Sequence, residues 1–134
     1  MVKVLWLLRS PPLPAQEEDL RRFLGRVEIV HVHETHLSPK EILTQMRELG
    51  AEEVVVNTLT VDLRYLTQHN VRPLWPEMKP VRGTKIDPDR DVKLGNTWYR
   101  FTRFRRVQEI NVKFTSPYHL NVPTSEQQER RNDD

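Results

Sequence analysis

Glu53-Val54-Val55-Val56-Asn57-Thr58-Leu59-Thr60 is the stretch on which the reading of this chain turns. Valine's branched β-carbon favours extended backbone and packs well on a pleated surface. A short apolar run without alternation fits a parallel strand covered on both faces. A helical pattern then begins with Val61, Leu63 and Leu66, so Asn-Thr-Leu-Thr falls where a central strand hands over to a helix. In open α/β sheets ligands bind at such junctions, because helix-start N–H groups and short side chains converge there.

Toward the N-terminus, residues 2–8 read as a buried strand ended by Arg9-Ser10-Pro11-Pro12. Proline cannot donate to a ladder and restrains the residue before it. Leu13, Leu20, Phe23 and Leu24 then share one helical face, with acidic residues leading and basic ones following, as the helix dipole prefers. Gly25 is a natural stop. Residues 27–33 read as a second strand carrying His31 and His33, with Glu34-Thr35-His36 at its end. Ser38-Pro39-Lys40-Glu41 joins a serine cap, a proline at the first helical position and a glutamate that closes a capping box. Ile42, Leu43, Met46 and Leu49 form the buried side of that helix, and Gly50 ends it.

Toward the C-terminus, the third helix fades at His69-Asn70, and residues 71–78 read as a fourth strand. Pro73 and Pro76 predict an edge or sheet-margin position for it, where a missing N–H costs little. Strand–helix units recurring every 25–30 residues or roughly so predict right-handed crossovers and a parallel sheet. The expected class is α/β: over residues 1–80, a Rossmann-like, mainly parallel sheet of about four strands with flanking helices. Asp91–Leu94, the turn Gly95-Asn96 and residues 97–104 then read as a β-hairpin, followed by an alternating antiparallel strand over residues 107–114. Residues 81–120 are thus expected to form a hairpin extension packed on the core or on a dimer partner. Residues 121–134 read as a disordered tail, the last ten being without an apolar side chain.

A chain of 134 residues can bury a core without staples, and this one has no cysteine. That excludes thiol catalysis, zinc ribbons and disulfides, and suits a reducing cytoplasm. The N-terminal apolar run is too short to span a bilayer and lacks a signal-peptide cleavage site. A formal net charge of +2 with 30% charged residues is no general polyanion signature. Positive charge is instead local, in Trp98-Tyr99-Arg100-Phe101-Thr102-Arg103-Phe104-Arg105-Arg106. Arginines interleaved with aromatics can bind single-stranded nucleic acid through Arg100, Arg103, Arg105 and Arg106. The plainer reading, which we favour, is a hairpin whose aromatics face a core or dimer partner while the arginines stay wet.

Four strand ends should meet at one sheet edge, contributing Arg9 and Ser10, His33 to His36, Asn57 to Thr60, and Met78 with Lys79. Hydroxyls, an amide, imidazoles, cations and a helix N-terminus suit a phosphorylated or nucleotide ligand. There is no GxGxxG and no Walker A lysine, so an ordinary dinucleotide or nucleoside-triphosphate site is disfavoured. Asn57-Thr58-Leu59-Thr60 can equally cap the third helix, and Arg9-Ser10 can be a solvated turn. His31 and His33 share a strand face and invite a metal reading with Glu34 or His36, but the spacing matches no known metal motif. His33 and His36 remain candidates for proton transfer.

The strand running into Arg9-Ser10-Pro11-Pro12-Leu13-Pro14-Ala15-Gln16, the His-bearing second strand, Val-Val-Val-Asn-Thr-Leu-Thr, and Val71-Arg72-Pro73-Leu74-Trp75 together carry a resemblance. Over residues 1–80 the chain resembles the small CRISPR-associated Rossmann-like (CARF-related) ring nucleases of type III systems. It departs from them in having Ser10-Pro11 where some relatives have His-Pro. The resemblance implies a cytoplasmic homodimer that binds a cyclic oligoadenylate across its two-fold axis and switches off antiviral signalling. It implies cleavage without metal or cofactor, by the ribose 2′-hydroxyl held in line with the adjacent phosphorus. It assigns Ser10, Asn57, Thr58, Leu59 and Thr60 to ligand contact, and Arg9 or Lys79 to offsetting charge. Ser10, His33 and His36 become the candidate catalytic residues.

Overall fold

The computed structural model describes residues 1–33, 37–57, 60–83 and 85–109, the side chains of residues 60 and 61 excepted. In the first strand, β1 (Val2–Trp6), Val4, Leu5 and Trp6 are fully buried. Successive side chains of a strand point to opposite faces, so Val4 and Trp6 enter one core cluster and Leu5 another. The same division runs through β3 (Glu53–Val55): Val55 joins Trp6, while Val54 and the following Val56 join Leu5. Helix α1 (Pro14–Leu24) supplies Leu20 to the first cluster. Helices α2 (Pro39–Leu49) and α3 (Thr60–Gln68) supply Ile42, Leu63 and Leu66 to the second. Residues 4–6 and 54–56 read as unbroken apolar runs because both faces of the sheet are covered there.

Strand β2 (Val27–His31) and β3 flank β1 in parallel, and β4 (Leu74–Pro80) continues parallel from β3 at the Val55–Leu74 rung. The expected hairpin is formed by β5 (Asp91–Leu94) and β6 (Thr97–Arg106). Gly95 opens its turn at φ 67°, a conformation glycine reaches without a Cβ penalty. Strand β6 pairs antiparallel with β4, so the hairpin extends the same sheet, in the order β2-β1-β3-β4-β6-β5. The fold is therefore α/β, with a mainly parallel core and antiparallel C-terminal strands. Among the described residues no helix is long and apolar enough to cross a membrane.

Three local expectations need correction. The prolines predict a marginal β4, yet it lies inside the sheet, between β3 and β6. Val107 N–H donates to Pro73 O at 2.9 Å and Val81 N–H to Trp98 O at 2.8 Å. These bonds set the ladder's phase, placing Pro76 opposite Phe104 and Pro80 opposite Tyr99 at non-hydrogen-bonded pairs. The missing N–H of each proline thus faces away from β6, toward the side where β3 has already ended. Phe23, expected on the buried face of α1, is 69% exposed; in the helix's last turn it is Leu24 that packs against the core. Residues 107–109 continue past β6 without strand structure, while the rest of the expected strand and the tail lie outside the described residues.

Strict alternation would send Phe101 and Phe104 to opposite faces of β6. Both are buried in one cluster, with ring centroids 5.0 Å apart. A register shift opposite Glu77 and Met78 makes Thr102 the extra residue of a bulge, which turns the strand's phase over. Past the end of β5, Phe104 N–H has no strand partner and donates to Asp19 Oδ2 of α1 at 2.9 Å. Asp19 is 5% exposed, and its other oxygen takes Arg22 Nη1 at 2.9 Å. One buried carboxylate therefore ties the N-terminal helix to the C-terminal strand.

Candidate functional site

Trp6 ends β1, and its indole Nε1–H donates to Ser10 O at 2.8 Å. From β2, His31 Nε2 reaches Leu8 O at 2.8 Å. A carbonyl only accepts, so that ring nitrogen carries the proton. Two rings from neighbouring strands thus hold the loop after β1 at two of its carbonyls. The loop's Arg9 and Ser10 meet Asn57, just past β3, around a crevice of about 330 Å³. That is at the lower end of the roughly 300–1,000 Å³ range of small-molecule sites. Its polar side chains are Arg9, Ser10, Gln16 and Asn57, and its walls are apolar, with Leu8, Leu13, Met78 and Val92 among them.

Three of the expected ligand residues, Arg9, Ser10 and Asn57, are therefore brought together at the carboxyl edge of the parallel strands. Arg9 is exposed and makes no ion pair among the described residues. Thr58, Leu59 and His36 lie outside the described residues, and of Thr60 only the backbone is described, as the first residue of α3. His33 does not line the crevice. It is exposed and packed against His31 at a tilt, with ring centroids 4.1 Å apart and planes 37° apart. The metal reading of this strand also needs Glu34 or His36, and both lie outside the described residues.

Lys79 was expected beside Arg9, but it is not in the crevice. Alternation along β4 turns Pro76 and Met78 toward the crevice and Lys79 away from it. Lys79 lines a separate, open groove of about 720 Å³ together with Arg82, Lys85, Asp87, Arg90 and Arg100.

The hairpin arginines are engaged with carboxylates. Arg100 makes a two-pronged contact with Asp91, Nε to Oδ1 at 2.8 Å and Nη2 to Oδ2 at 2.9 Å. Asp91 also accepts from Asp87 N–H at 2.7 Å. The Arg100 hydrogen bond holds the Asp91 carboxyl below its ordinary range, against the opposing effect of burial. Arg103 and Arg105 share Glu77 Oε1 at 3.2 and 3.3 Å, and Arg106 pairs with Glu53 at 2.8 Å. Phe101 and Phe104 face the core, while Trp98 of the same strand stays exposed.

The crevice also uses residues that sequence reasoning passed over: Trp6 and Gln16, and Val92 and Leu94 of β5. The polar start of α1 hinted at Gln16. Nothing in the sequence announces that a twisted sheet brings β5 against the loop after β1. The chain matches no protein-family model, no curated protein and no solved structure.

Proposed function

We propose that this chain is a CARF-related receptor and metal-independent ring nuclease for cyclic oligoadenylate, built on a Rossmann-like core. The observation that carries the reading is the meeting of Arg9, Ser10 and Asn57 at one apolar-walled crevice. A guanidinium offers a charged, forked donor for phosphate, and the hydroxyl and amide offer hydrogen bonds to phosphate and ribose. The apolar walls suit the faces of a base. At about 330 Å³ the crevice suits one nucleotide unit and not a whole ring, so a symmetric ring calls for two copies of the chain across a two-fold axis.

Cleavage in this reading needs orientation and charge stabilisation. The ribose 2′-oxygen attacks the neighbouring phosphorus, the bond to the 5′-oxygen breaks, and the hydroxyl proton ends on that leaving oxygen, by way of water. The products are a 2′,3′-cyclic phosphate and a free 5′-hydroxyl. Arg9 offsets the charge growing on the phosphate, and Ser10 and Asn57 hold the attacking unit in line. His33 has no part in this scheme, because it stands outside the crevice.

Incubation with cyclic tetra-adenylate and cyclic hexa-adenylate in EDTA tests the reading. Binding of one ring, followed by linear product ending in a 2′,3′-cyclic phosphate, is the expected result. Binding without product removes the nuclease and keeps the receptor. Failure of both rings to bind overturns the reading as a whole.

A further inference from the structure

Gln16 is a buried polar side chain of the crevice to which the scheme above gives no task. It is 4% exposed and stands in the first turn of α1. Its Oε1 accepts from Leu13 N–H at 2.8 Å. A backbone donor can make that bond only with the oxygen end of the amide, so the NH2 end is turned elsewhere. Among the described residues that NH2 has no hydrogen-bond partner. Leaving a buried donor unpaired is costly, and folded chains rarely do so without an occupant to satisfy it. Gln16 lines the crevice together with the polar Arg9, Ser10 and Asn57 and the apolar Leu8, Leu13 and Met78.

The geometry points to Gln16 as the base-reading residue of this site, an inference that rests on the nucleotide reading above. With Leu8, Met78 and Val92 offering apolar surface to a flat heteroaromatic ring, the Gln16 Nε2–H donates to an acceptor nitrogen on that ring's edge. The bond from Leu13 holds the amide in one orientation before any ligand arrives, so little side-chain entropy is lost on binding. A fixed donor selects bases that present an acceptor there and rejects those that lack one, since its partner would otherwise be missing.

Gln16→Glu separates this role from the structural one. A glutamate at the third helical position still accepts the Leu13 N–H but removes the donor. The experiment titrates the wild type and Gln16→Glu with cyclic tetra-adenylate and adenosine 5′-monophosphate. It adds the 1-deaza, 3-deaza and 7-deaza forms of the monophosphate, each lacking one ring acceptor. The inference expects an unchanged melting curve for Gln16→Glu and binding weakened about tenfold, the worth of one buried hydrogen bond. It also expects one deaza analogue to be weakened for the wild type and not for the variant. That cycle isolates the hydrogen bond from the charge the variant introduces, and if the variant fails to fold, the wild-type deaza series decides. If the ring binds and all three analogues bind like the parent, only water satisfies the amide and the inference falls while the receptor stands. If the ring does not bind, the proposed function falls. A deaza-sensitive monophosphate then keeps Gln16 as a base reader, and an unbound one overturns that too.

Discussion

Trp6 does two things with one side chain: its ring fills the core under Phe104, and its Nε1–H holds the Ser10 carbonyl. Trp6→Phe keeps most of the ring and deletes the hydrogen bond. Stability should fall by about 1 kcal/mol, more if the smaller ring leaves a void, while ligand affinity falls because the Arg9-Ser10 loop keeps only its His31 tie at Leu8 O. Unchanged affinity in a folded variant would mean the loop is held by something else. Asp19 is the corresponding tie on the far side of α1. Asp19→Ala strands the buried Phe104 N–H and should cost about 1–3 kcal/mol in urea unfolding, with Asp19→Asn costing less because an acceptor oxygen remains. Asp91 gives a signature in pH. Its carboxyl is held below the ordinary range by Arg100, so it contributes stability at neutral pH that is lost as pH falls through the unfolded and then the folded value. Urea midpoints at about pH 7 and pH 3 should draw closer together in Asp91→Asn than in the wild type. An equal gap in both would assign the acid sensitivity to other carboxylates.

The helix α2 shows how much of an element a few residues can announce. Ser38 Oγ accepts from Glu41 N–H at 3.1 Å, Glu41 Oε1 accepts from Ser38 N–H at 2.7 Å, and Pro39 opens the helix as its sequence predicts. Ser38→Ala should lower stability by about 0.5–2 kcal/mol, read by chemical denaturation, with ligand binding untouched. Every helix and strand of the described core was readable in this local way, from caps, glycine stops and apolar runs. What was not readable depends on partners far away in sequence. The prolines of β4 are harmless because β3 stops short, and the phase of β6 turns over at Thr102 against Glu77. Arg9, Ser10 and Asn57 could be placed in the site because the ends of parallel strands converge by topology. Lys79 could not, since one step of alternation decides its face, and neither Val92 nor Leu94 carries any local mark of the site it lines.

In the molecule as a whole, the parallel half supplies the polar rim of the crevice and the antiparallel half supplies one of its walls. Neither half makes the site alone. A crevice sized for one nucleotide, on a chain read as binding a symmetric ring, makes stoichiometry the sharpest observable. Calorimetric titration of cyclic tetra-adenylate in EDTA into the wild type and into Arg9→Ala, with melting curves for both, puts the receptor reading at risk. The expected result is saturable binding at one ring per two chains, weakened about tenfold or more by the substitution, as befits a lost charge-assisted hydrogen bond, with unchanged melting. No saturable heat with the wild type, or the same affinity in Arg9→Ala, would contradict it.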